Sequence, residues 1–196
     1  GHSTTLALAV TGVLRPHAEY IDALIGLTIF LVGCENVSST ARRPAVMAAC
    51  VGGLLLLMAA LNLAGFVSLP TLLLVGGALF AANYLMVSGY LRDAAKLRLV
   101  VTSVFGLIHG FGFATDLLEM RLPKQRLAEL LVGFNIGVEV GQFAIVLGVA
   151  AATTLLVRLK LAPPRRLVAD FGAAFLVAMG LYWFVSRGYA VAADIG

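Results

Sequence analysis

Long apolar runs separated by short polar turns constrain this chain more than any other feature. A bilayer core is about 30 Å thick and needs about 20 consecutive apolar residues to cross it as a helix. Residues 21–37, 45–67, 71–91, 99–118, 127–157 and 168–186 meet that need, and the shorter run 4–14 reads as the visible part of a helix beginning before Gly1. A soluble alternative fails on composition. With 61% hydrophobic and 12% charged residues, the chain carries about half the charge of an ordinary soluble domain. The predicted fold is all-α: a polytopic transmembrane helix bundle of six to seven membrane segments, the first incomplete at the N-terminus, in a single domain over residues 1–196. The opening GHSTTLALAV has neither an initiator Met nor the charged start of a signal peptide, so the chain reads as cut from or processed within a longer protein.

The turns set the orientation. Arg15-Pro16, the SSTARRP stretch, Ser68-Leu69-Pro70 and RLKLAPPRR punctuate the runs and make neighbouring helices antiparallel. Alternating sides along the chain places Arg42, Arg43, Arg92, Lys96, Arg98, Arg158, Lys160, Arg165 and Arg166 together. Arg15, Arg121, Lys124, Arg126 and Arg187 fall on the other side. The positive-inside rule puts the richer group in the cytoplasm and the C-terminus outside. The net charge of +4 is accounted for by these orienting loops, and a nucleic-acid partner is not expected. Cys34 and Cys50 lie within apolar runs and read as buried small hydrophobes.

Ionisable residues within the bilayer are costly and mark function. His109 stands near the middle of its segment in FGLIHGFGFATDLL, between glycines that let another backbone approach. Two readings stay open for it: a packing histidine bonded to a neighbouring helix, or a metal ligand or proton relay. On the next segment Asn135, Glu139 and Gln142 are spaced i, i+4 and i+7, which stacks an amide, a carboxylate and a second amide on one helix face. Gly133, Gly137 and Gly141 make a second ridge, suited to close packing. Packing explains the glycines but not Glu139, whose carboxylate in hydrocarbon must be protonated, paired or bound to a cation. A functional role is the favoured reading there. Glu35-Asn36 is near enough to an interface to reach water. His2 opens the partial first helix at a depth the sequence does not fix, and His17 sits in a loop where solvation suffices.

Imidazole nitrogen with carboxylate and amide oxygen suits a borderline divalent ion, nickel, cobalt, copper or zinc, more than calcium or magnesium. No HExxH pair, P-loop, GxSxG elbow or dinucleotide fingerprint occurs, so an enzyme is not expected.

The stretches GHSTTLALA, IDALIGLTIFLVGCENV, FGLIHGFGFATDLL and FNIGVEVGQ, in that order along most of the chain, resemble the HupE/UreJ family of hydrogenase- and urease-associated membrane proteins. The resemblance implies a multi-pass protein of the bacterial inner membrane acting as a nickel or cobalt permease, or as an accessory factor in metalloenzyme maturation. It falls on His2, Glu35, His109, Asn135, Glu139 and Gln142. Two departures stand out: a histidine in a Gly-x-Asp-His element that the family carries upstream is not in this sequence, and Asp22 stands where the family commonly has Glu. The expected function is secondary transport of a divalent transition metal, nickel foremost, with no permanently bound cofactor. His2, Glu35, His109 and Glu139 are the expected ligands, supported by Asn36, Asn135 and Gln142. The expected partners are the lipid bilayer, the metal ion, and either a second copy of the chain or metalloenzyme maturation proteins.

Overall fold

In the computed structural model, residues 4–5, 8–9, 18–91, 95–119 and 127–195 are described. His2, His17, most of the 4–14 run, and Arg15, Arg92, Arg121, Lys124 and Arg126 lie outside the described residues. The architecture is helical: α1 Ala18–Ala41, α2 Pro44–Leu63, α3 Thr71–Tyr90, α4 Ala95–Glu119, α5 Leu127–Arg158 and α6 Arg165–Ile195. Among the described residues six helices are long and apolar enough to cross a membrane, so the chain is a polytopic helical membrane protein.

Helix ends follow local chemistry. Pro44 opens α2, where its missing N–H is one that the first turn would leave unbonded anyway. The expected end of this helix near residue 67 is corrected to Leu63, because Gly65 takes φ +80°. That left-handed residue closes a Schellman turn, with Phe66 N–H donating to the Leu61 carbonyl and Gly65 N–H to that of Asn62, both at 3.0 Å. Asn62 then staples the turn: its Oδ1 accepts the Leu69 N–H at 3.0 Å and its Nδ2 donates to Thr71 Oγ1 at 2.8 Å. Asn62→Ala removes both of these part-buried bonds, and should cost about 1–2 kcal/mol and lower the thermal midpoint in detergent. Asn62→Asp should retain the bond from Leu69 and recover part of that loss.

The packing centres on α1. Leu27, Phe30 and Leu31 of α1 are buried with Leu55 of α2, Leu74 and Leu85 of α3, Phe105 of α4 and Phe184 of α6. Among the described residues the closest backbone approach joins α1 to α6 through glycines: a Cβ added at Gly26 would lie 2.4 Å from the Phe184 nitrogen, and one at Gly180 2.3 Å from the Phe30 nitrogen. Backbones in such contact exchange dispersion energy that lipid tails do not replace.

The glycine ridge expected to pack behaves differently. Around Gly133, Gly137 and Gly141 no described residue lies within 4 Å of an added Cβ, and no described side chain of α5 is buried. This helix joins the bundle through its first turns, where Leu131 and Phe134 pack with Phe111, Ala9 and Ala114. The Phe134 ring meets Phe113 edge-on with centroids 5.2 Å apart. At 32 residues α5 is about 48 Å long, longer than a straight crossing, as its sequence requires. Cys34 is buried as expected, but Cys50 is exposed, because it lies on the outward face of α2.

Candidate functional site

Helix α1 is central and carries a carboxylate towards each end, with Asp22 and Glu35 about 20 Å apart along its axis. At the end rich in Arg and Lys, Glu35 is gripped from two other helices. Arg98 Nε of α4 donates to Oε1 at 2.8 Å, and the Tyr84 hydroxyl of α3 donates to Oε2. The Glu35 side chain is 14% exposed and that of Arg98 53%. The carboxylate is therefore largely withdrawn from water while its counter-ion remains half in it. At the opposite end Asp22 Oδ2 lies 3.5 Å from Arg187 Nη1 of α6, beside a cavity of about 120 Å³ that Ile25 and Trp183 also line.

Between these ends, α4 lays one face along α1. Arg98, Phe105, His109 and Gly112 fall within one stripe at helical periodicity. Gly112 is where an added Cβ would come within 2.6 Å of Ile25 Cδ1. His109 is partly buried, and its Nδ1 lies 2.8 Å from the Phe105 carbonyl. A carbonyl oxygen only accepts, so Nδ1 carries the proton and donates it. In the neutral imidazole Nε2 then holds the lone pair, which is the form that binds metals.

The remaining candidates are dispersed. Asn36 is exposed beside a cavity between α1 and α6, on a different face from Glu35, and its carbonyl accepts from Ser39 and Thr40 at 3.0 Å. Asn135 is partly buried and its Nδ2 donates to the Leu131 carbonyl at 2.8 Å. Glu139 and Gln142 are exposed on α5 beyond the Phe113–Phe134 contact. Among the described residues, no three His, Cys, Asp or Glu side chains gather into a metal-holding group.

The structure thus brings Glu35 together with Tyr84 and Arg98, and sets His109 on the same α1–α4 seam. It leaves Glu139 on a separate helix, and His2 is outside the described residues. Sequence reasoning passed over Tyr84, Arg98 and the Asp22–Arg187 pair as functional groups. The available signal was charge sign: each apolar run that ends in an acid faces, in the predicted antiparallel order, an arginine at the same membrane surface.

No curated protein and no solved structure matches the chain. A family model described as HupE / UreJ protein matches residues 1–73 and 59–187, two overlapping stretches that cover all the candidate residues. On that match, spanning nearly the whole sequence, the chain belongs to the HupE / UreJ family.

Proposed function

We propose that this protein is a secondary permease for a divalent transition metal, nickel foremost, in the bacterial inner membrane. The observation that carries the reading is the 2.8 Å approach of His109 Nδ1 to the Phe105 carbonyl. Its Nδ1 is committed to a backbone carbonyl within a spanning helix, which presents Nε2 as a ligand at a depth where an idle imidazole is costly.

Glu35 is the cytoplasmic way station in this reading. Its charge is balanced by Arg98 in the absence of cargo, and an arriving dication takes over that role. Asp22 serves the same purpose at the opposite end, released from Arg187. Glu139 supplies a mid-depth carboxylate once α5 closes against α4, with Asn135 and Gln142 beside it, and His2 adds an imidazole from the first segment. Protons compete with the metal for imidazole and carboxylate alike, so uptake falls in acid. The sequence contains no nucleotide-binding motif, so the drive is an ion gradient or passive flow.

Radiolabelled nickel uptake into sealed proteoliposomes tests this. The parent accumulates nickel, with cobalt, copper and zinc as competitors, and the His109→Ala, Glu139→Ala double variant loses at least about 90% of the rate, since removing both mid-depth ligands forfeits more than 1.4 kcal/mol of stabilisation. Equal rates in parent and variant would refute the reading. Tight binding without uptake would replace it with a membrane accessory protein that holds metal during metalloenzyme maturation.

A further inference from the structure

Helices α3 and α4 both lean on α1, and bridge to each other through aromatic rings. Phe80 and Phe105 meet edge-on at 6.2 Å, and Tyr84 and Phe105 at 6.4 Å. Beside these rings the two helices part, leaving a cleft of about 180 Å³ floored by Leu27 and Leu31 of α1 and walled by Gly76 and Phe80 of α3 and Val104 and Ile108 of α4. Among the described lining residues the one polar side chain, Thr28, already donates its hydroxyl to the Ile25 carbonyl at 2.8 Å. Water needs two to four polar partners to occupy such a space, and an apolar cavity of ~150 Å³ stays dry yet accepts a benzene-sized hydrocarbon. The rim is open to the outside of the bundle: Phe80 is 40% and Val104 41% exposed, and Gly76, one turn before Phe80 on α3, is exposed as well.

Arg98 stands above this cleft on α4. The rise from Arg98 to Val104 is about 9 Å and to Ile108 about 15 Å, the depth at which the upper acyl segment lies beneath a phospholipid phosphate at the interface. Only Nε of Arg98 is used by Glu35. The Nη groups belong to a side chain 53% exposed, at the basic end of the bundle, where the positive-inside rule places the cytoplasmic leaflet.

The geometry points to a site for one anionic phospholipid of the cytoplasmic leaflet, its phosphate on Arg98 and an acyl chain in the α1–α3–α4 cleft. This site shares Arg98 with the Glu35 pair, but lipid retention is read without any metal present. The occupant follows from two features: an apolar slot that opens sideways into hydrocarbon, and a guanidinium at headgroup height, where each basic residue near an anionic surface contributes about 1 kcal/mol.

Native mass spectrometry of the full chain titrated with phosphatidylglycerol or phosphatidylcholine reads the site directly. The parent should retain one phosphatidylglycerol about fivefold more readily than phosphatidylcholine. Gly76→Phe should abolish retention of both lipids; an added Cβ at Gly76 meets nothing within 4 Å, so the ring can enter the cleft without displacing backbone. Val104→Trp fills the slot from the opposite wall and should do the same. Arg98→Gln should keep the lipid and lose the headgroup preference. Equal retention of the two lipids by the parent, an undiminished preference in Arg98→Gln, or parental retention by either filled variant with native helical circular dichroism would overturn the proposal.

Discussion

Gly180→Ala will loosen the bundle where the α1 and α6 backbones meet, whereas Gly137→Ala, the same change on α5, will not. In a free helix alanine is better than glycine by about 1 kcal/mol, so propensity alone favours both variants. At position 180 the new methyl lies 2.3 Å from the Phe30 nitrogen and 2.7 Å from its Cα. Backbone cannot rotate aside as a side chain does, so α1 and α6 must separate. Separation loosens the packing of Phe30, Phe184 and Gly26 together. The expected cost is about 3 kcal/mol, at the upper end for overpacking. At position 137 the methyl meets nothing within 4 Å, and no loss is expected. The single tryptophan, Trp183, adjoins Phe184 at this crossing, so its fluorescence during thermal unfolding in detergent reports the event. Equal midpoints for the two variants would show that the α1–α6 approach is not the principal contact of the bundle.

The second large effect is an asymmetry between two substitutions in one ion pair. Arg98→Gln leaves the Glu35 carboxylate, 14% exposed, with the Tyr84 hydroxyl and a neutral amide in place of a cation. Removing one partner of a fully buried pair costs about 3–5 kcal/mol; with Arg98 half exposed, solvent screens the interaction, and about 2 kcal/mol is expected. Glu35→Gln leaves the guanidinium free to turn into water and gives Tyr84 an amide oxygen to donate to, so about 1 kcal/mol is expected. The double variant should lose less than the sum, by about 1 kcal/mol, because each single change already breaks the shared bond. Chemical unfolding followed through Trp183 resolves the three variants. Arg98→Gln proving no costlier than Glu35→Gln would mean that Arg98 does not neutralise the carboxylate. Under the permease reading the two also diverge in transport: Glu35→Gln slows nickel uptake by removing a way station.

The α3 boundaries agree with the sequence reading to within one residue and those of α5 likewise, because a bilayer demands long apolar runs and proline and polar clusters end them. Helix α6 runs to Ile195, beyond the expected stop at 186, since Ser186 and Arg187 carry no signal that breaks a helix. Gly65 was a legible stop for α2 that hydropathy concealed, for glycine is apolar enough to sit unnoticed in a hydrophobic run. Family membership was likewise legible in the runs around His109 and Glu139.

Partner choice between helices was not legible. Glycines at 133, 137 and 141 form the more regular ridge in the sequence, yet Gly26 and Gly180 make the close crossing. Spacing records which residues share a face, and says nothing about which face meets which. The same limit hid the grip of Tyr84 and Arg98 on Glu35: three residues from three helices converge only when the tertiary arrangement brings α3 and α4 against α1. The sequence by itself determined the membrane-spanning class and where most of the long apolar helices lie, because both are set by local hydrophobicity against a bilayer of fixed thickness. Only the tertiary structure decided which carboxylates are clamped, which helices cross closely and where an apolar cleft opens, because those depend on side-chain packing between segments far apart in the chain.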